Sequence, residues 1–216
     1  LCARAYAAGK FRVGEELMPV VIPQKRGSPI VIEKDESPRE TTMEALAKLK
    51  PIYGSPTVTA GNAPPISAGA SAILCMTRAE ADRRGLAPLA TVVCAVASAA
   101  SPREIAQIPA YTIRKALERA GMTIDRMDLI EINEAFAAMP LVSTKILASA
   151  DEGRWKALQE RTNVNGGAIA IGHPVGASAG RIAMTLAYEL RRRGGGTGVA
   201  AICGGLAQGE AVILRV

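Results

Sequence analysis

From about residue 88 the apolar positions alternate between two periods. "ATVVCAVASAA" (90–100) reads as a strand and "YTIRKALERAG" (111–121) as an amphipathic helix. "DLIEIN" (128–133) is a second strand, and "EAFAAMPLVSTKILA" (134–148) a second helix. "DEGRWKALQE" (151–160) is a polar helical excursion, and "TNVNG" (162–166) a brief strand. "ASAGRIAMTLAYELRRRG" (177–194) is a long helix. "TGVAAICGG" (197–205) and "GEAVILRV" (209–216) are strands joined too closely for a crossover, so they predict an antiparallel hairpin. Strands alternating with helices predict a layered α/β sheet.

Before residue 88 the pattern is more broken. "CARAYAAGKF" (2–11) is the end of a helix stopped by Gly9. "EELMPVVIP" (15–23) and "SPIVIEKDESP" (28–38) are short extended pieces bounded by proline. "TTMEALAKLKP" (41–51) is a short helix with a threonine cap, closed before Pro51. "PTVTAGNAPPISAGASAILCM" (56–76) predicts a strand, a turn-rich stretch and a second apolar run. In "TRAEADRRG" (77–85), Thr77 and Glu80 have capping-box spacing and Gly85 is the stop. The chain opens on Leu1 in what reads like mid-helix, which suggests an end made by cleavage or trimming.

Composition adjusts this picture in a few places. With 216 residues, 49% of them hydrophobic and 3% aromatic, a sizeable core must be built from Ala, Val, Ile and Leu. The formal charge of +6 comes from scattered residues with almost no stacking aromatics. That argues against nucleic acid and suits a small polyanionic ligand such as a nucleotide-bearing cofactor. The four cysteines fit no zinc or CxxC spacing, so no metal is expected. Without a secretory signal the default is reduced thiols in the cytoplasm. No apolar run approaches the ~20 residues of a membrane helix.

The lone histidine, His173, lies between glycine-rich turns just ahead of the long helix. A helix N-terminus favours its neutral form, able to accept a proton near pH 7. Gly172 and Gly176 would let a ligand approach the backbone. A histidine in such a turn can also be purely structural; the glycines favour chemistry. Cys203 ends a buried strand ahead of Gly204 and Gly205, whose N–H groups can serve as oxyanion donors. Its thiol is a nucleophile, an acid/base or a small core residue. Asn133, where strand passes into helix, is either an N-cap or an amide that holds water or substrate. If their strands are parallel neighbours, the three converge on one sheet edge, where ligands of open α/β sheets bind. A proton shuttle, a thiol and oxyanion donors around one carbonyl suit acyl chemistry. The stretch 59–72 is an ordinary loop or a wall along a flexible ligand arm.

"NEAFA" (133–137), "NVNGGAIAIGHPVGASAGRI" (163–182) and "CGGLAQGEA" (203–211) resemble, in order, the three C-terminal signature blocks of the thiolase family. "TAGNA" (59–63) and "RKALERAG" (114–121) are similar to further family segments. The resemblance implies a layered α/β sandwich of two similar halves, with a loop domain over the coenzyme A site. It makes residues 1–50 the tail of that loop domain, 51–87 the end of the N-terminal half and 88–216 the C-terminal half. It casts His173 as the group that activates a nucleophilic cysteine and helps form an oxyanion hole, and Asn133 as the holder of that hole's water. Cys203 becomes the acid/base at the substrate α-carbon, and Gly205 the backbone donor of a second oxyanion hole. Ala60, Gly61, Pro64 and Gly172 are expected along the coenzyme A arm. Coenzyme A and acyl-CoA would be substrates, with no tightly bound cofactor.

Two departures stand out. The family's nucleophilic cysteine sits in an N-terminal motif that this sequence lacks, so a partner part or subunit is expected to supply it. Where the family reads "SGINDGA", this chain has "PPISAGA" (64–70): Pro64 replaces a serine, and Ser67 and Ala68 replace the Asn-Asp pair. The expected activity is that of a thiolase component in a homo- or hetero-oligomer, acting on 3-ketoacyl-CoA. The alternative is a non-catalytic acyl-CoA-binding or scaffolding subunit.

Overall fold

The central sheet grows from the periods seen in the sequence. The computed structural model describes all residues, Leu1–Val216. The first part holds α1 (Cys2–Ala7), β1 (Val20–Ile22), β2 (Ile30–Ile32), α2 (Met43–Ala47) and α3 (Arg78–Arg83). Then come β3 (Thr91–Ala99), α4 (Ile108–Ala120), β4 (Leu129–Ile132), α5 (Ala138–Leu147) and α6 (Glu152–Glu160). The chain closes with α7 (Ala168–Ile171), α8 (Ser178–Arg192), β5 (Thr197–Gly204) and β6 (Gln208–Arg215).

Four strands form one sheet in the order β3-β6-β5-β4. β5 and β6 make the expected antiparallel hairpin, and β3 adds antiparallel to β6. β4 runs parallel to β5, with Ile132 opposite Ala201. All four residues of β4 are buried, as befits a strand covered on both faces.

The two faces are filled unequally. On one side α4 and α5 bury a cluster of twenty residues, including Ile108, Ile113, Ile130, Val199 and Cys203. Each large aliphatic among them contributes roughly 1.5–3 kcal/mol on burial. On the other side α8 closes a cluster of seven built on Ile182, Leu186 and Leu190. Beside it an apolar hollow lined by Ala95, Ala97, Ile182, Ala200, Ile202 and Val212 stays uncovered.

Several expectations for the first part need correction. "EELMPVVIP" and "SPIVIEKDESP" do pair, as the small antiparallel ribbon β1–β2. The strand expected after Pro56 is reduced to one bridge, Pro51 to Thr59. The apolar run to Met76 forms no strand, and Ile73 and Leu74 stay exposed, because no neighbouring strand stands beside it. Thr77 caps α3 by accepting the Glu80 N–H.

"TNVNG" is not a strand either. It bridges once, Thr162 to Ile130. Asn163 then turns left-handed at φ 48°, and its side chain takes over the pairing. It accepts from the Ile132 N–H and donates to the Ile132 carbonyl, both at 2.8 Å. No helix is long and apolar enough to cross a membrane.

Candidate active site

β4 and β5 deliver their chemistry at the same end because they run parallel. Asn133 follows β4, and its N–H donates to the Ala201 carbonyl at 3.0 Å. Cys203 lies two residues further along β5, and Gly205 opens the short 3-10 turn Gly205–Ala207 after it. His173 comes in from above, on the loop between α7 and α8.

Asn133 is not a helix cap. α5 begins only at Ala138, with Ala137 at its cap position. Asn133 is instead fully buried, with its Nδ2 3.3 Å from His173 Nε2. Its Oδ1 is buried and finds no partner within the chain. A donor from water or a ligand would satisfy that oxygen.

The other imidazole nitrogen is held from behind. His173 Nδ1 lies 2.6 Å from Ser178 Oγ, and the Ser178 hydroxyl donates to the Pro174 carbonyl at 3.1 Å. With its proton spent there, Ser178 can only accept from Nδ1–H. Nε2 is left with its lone pair, facing the Asn133 amide donor. This tautomer follows from the hydrogen-bond network and makes Nε2 the basic atom. Burial, and then the positive charge of Arg181, push the His173 pKa below its ordinary value. Both influences act in favour of the neutral imidazole.

Cys203 is buried, and burial pushes its thiol pKa up. A protonated thiol suits a proton donor better than a standing thiolate. No hydrogen bond joins it to Asn133 or His173; its side chain belongs to the α4–α5 cluster. Gly205 is exposed, and a Cβ there would meet nothing within 4 Å. Leu206 and Ala207 after it take left-handed φ angles of 59° and 56°, a strained conformation for residues with side chains.

The stretch 59–72 is irregular chain that lies against the His173 loop, with Ser67 and Ser71 bonded to it. Ala60 is exposed and Pro64 half-buried. Gly61 packs on α2, where a Cβ would come within 2.7 Å of Leu46. Gly172 does not open the backbone to a ligand as expected. At φ 104° it abuts Ser67, and a Cβ there would lie 2.5 Å from the Ser67 hydroxyl oxygen.

Sequence reasoning missed Ser178, Asn163 and Glu134, and it marked Ser67 only as a departure from the family pattern, not as a partner of the His173 turn. The Glu134 carboxylate accepts from the Ile169 N–H at 3.0 Å and from Asn163 Nδ2 at 3.4 Å. It ties the segment ahead of α5 to α7, the helical turn just before the His173 loop. The signal was its place beside Asn133 in "NEAFA".

Comparison with known proteins now adds the decisive observation. The family profile described as "Thiolase, C-terminal domain" matches residues 86–216, and "Thiolase, N-terminal domain" matches residues 1–79. The chain belongs to the thiolase family. Among thiolase relatives, the acetyl-CoA acetyltransferase of Syntrophomonas wolfei is 45% identical over all of this chain and 52% of its own length. A beta-ketoadipyl-CoA thiolase of Acinetobacter baylyi is 42% identical over 99% of this chain and 52% of its own. The crystal structure of Bacillus anthracis acetyl-CoA acetyltransferase superposes with a TM-score of 0.87 at 36% identity. It too is matched over 99% of this chain and 52% of its own length. The layered thiolase fold is therefore established here, and this thiolase chain spans about half the length of the relatives it matches.

Proposed function

We propose that this chain is the C-terminal part of a thiolase and works with an N-terminal part that carries the nucleophilic cysteine. The reaction is the reversible Claisen exchange between acyl-CoAs: thiolysis of a 3-ketoacyl-CoA by coenzyme A, or its reverse. The observation that carries this reading is the Asn133–His173–Ser178 relay at the shared end of β4 and β5. It leaves a basic Nε2 beside a buried amide. In this reading Nε2 takes the thiol proton of the supplied cysteine. The imidazole and the Asn133 amide then face the thioester oxygen, Cys203 moves the proton at the α-carbon, and the Gly205 N–H stabilises the enolate oxygen.

The uncovered apolar hollow and the exposed Ile73 and Leu74 support a further part packed against this one. Residues 1–50 as the tail of a coenzyme-covering domain, and Ala60 and Pro64 along the coenzyme arm, belong to the same proposal. So do an oligomeric assembly and the cytoplasm, whose reducing conditions suit a working thiol at Cys203.

The test is reconstitution. The chain assembled with its N-terminal part is expected to cleave acetoacetyl-CoA in the presence of coenzyme A, while the chain alone is not. Turnover by the chain alone refutes the division of labour. An assembled protein that binds acyl-CoA without turnover makes it a scaffold instead.

A further inference from the structure

A bond between two distant segments fixes the turn that carries the imidazole. The His173 main-chain N–H donates to Ser67 Oγ at 3.2 Å, and the Ser67 hydroxyl donates to the Pro65 carbonyl at 3.1 Å. The two segments then run in step. A Cβ on Gly69 would come within 2.8 Å of the Pro174 ring, and the Ser71 hydroxyl donates to the Ala177 carbonyl at 2.8 Å. The partners come from opposite sides of the boundary between the two matched family regions, 1–79 and 86–216.

We propose that Ser67 is a positioning residue for His173: its hydroxyl fixes the main chain at His173 so that the imidazole lands between Asn133 and Ser178. The inference rests on the reading of His173 as the base. Gly172, at φ 104°, is a swivel in front of His173. A swivel leaves the direction of the next side chain loose unless something holds the following N–H. Ser67 holds it, and it seats closely because Gly172 has no side chain. Misplacing a catalytic group by about 1 Å can cost a hundredfold in rate, so a single hydrogen bond at this point has leverage.

Ser67→Ala removes the acceptor without adding bulk. In the assembled protein it is expected to lower kcat for acetoacetyl-CoA thiolysis about tenfold, with KM changed less than twofold, the pattern of misplacement rather than lost binding. The second readout needs no activity. NMR of histidine-labelled protein follows the His173 ring, its signal assigned by loss in His173→Gln. Arg181 of α8 is the charged group acting on that ring, and burial is the larger influence. A loosened turn lets in water, so the ring should titrate higher, towards the ordinary 6.5. Ser67→Thr keeps the hydroxyl and is expected to restore both values. Should Ser67→Ala not fold, Ser67→Cys keeps the size, weakens the acceptor and gives the same changes on a smaller scale. An unaltered His173 titration and kcat in the variant overturn the proposal, whether or not thermal stability falls. If the unaltered assembled protein has no thiolysis activity, the proposed function fails, and the titration still decides what Ser67 does.

Discussion

At the scale of single residues, the proposed site holds two titratable groups in environments that shift them in opposite directions. His173 is held below its ordinary pKa by burial and by Arg181, and Cys203 is raised by burial. A histidine whose pKa is lowered stays neutral at pH values where a free one is charged. The acid limb of kcat/KM for the assembled protein is therefore expected below pH 6.5, and any basic limb owed to Cys203 above pH 9. A pH–rate profile checks this; an acid limb centred above 6.5 would mean that something other than a buried neutral imidazole governs the rate. The placement of His173, Asn133 and Cys203 at strand ends and glycine turns was legible in the sequence. Ser178 was not, and Ser67 stood out only as a change from the family pattern. A hydroxyl in a small-residue run looks like any other until the fold shows which carbonyl has taken its proton. Gly172 was misread for a related reason: glycine marks a close approach, but sequence does not say whether ligand or chain approaches.

At the scale of elements, local pattern served well where packing agreed with it. The hairpin β5–β6, the cap at Thr77 and the long helix α8 follow from turn length, capping chemistry and period. It failed where a strand needs a neighbour. The run up to Met76 has strand composition and no strand beside it, and "TNVNG" gave way to Asn163. That residue carries both a left-handed backbone and two hydrogen bonds to Ile132 that a strand would otherwise make. Asn163→Ala removes both bonds, leaves buried main-chain groups of β4 unpaired and puts a methyl side chain at φ 48°. The expected loss is about 2–4 kcal/mol of stability, read by urea unfolding. Asn163→Asp should lose at least as much: it keeps the acceptor for the Ile132 N–H but turns a carboxylate oxygen on the Ile132 carbonyl and the Glu134 carboxylate. A loss below about 1 kcal/mol in the alanine variant would show that the side-chain bonds contribute little.

At the scale of the whole molecule, a buried charge network joins the N-terminal segment to α8. Glu189 accepts from Asn165, Arg192 and Arg193. Burial raises its pKa, but these bonds and Lys10 outweigh burial and bring it down to about 2. Glu131, 3.8 Å from Arg181, is pushed up to about 8 by burial, and Glu16, beside Arg192, to about 7. The signs oppose. Glu189 adds stability that is lost as pH falls from about 4.5 towards 2. Glu131 and Glu16 keep protons that the unfolded chain releases near 4.5, so their contribution is lost as pH rises towards 7 and 8. The melting temperature is expected to peak near pH 5, and Glu131→Gln to flatten the decline on the alkaline side. Thermal scans from pH 4 to 9 decide it, and an unchanged slope in the variant would show that Glu131 is ionised in the fold. The division of the sheet's two margins has one more outcome. At β4 the lateral pairing groups of Ile132 are occupied by the Asn163 amide, so another copy cannot zip on there. The margin at β3 has no such plug beyond Lys115, which reaches the Ala97 carbonyl. Fibrillar growth of the isolated polypeptide would therefore be one-sided, propagating from Thr91–Ala99, and a proline placed in that stretch is where a polymerisation-resistant version should begin.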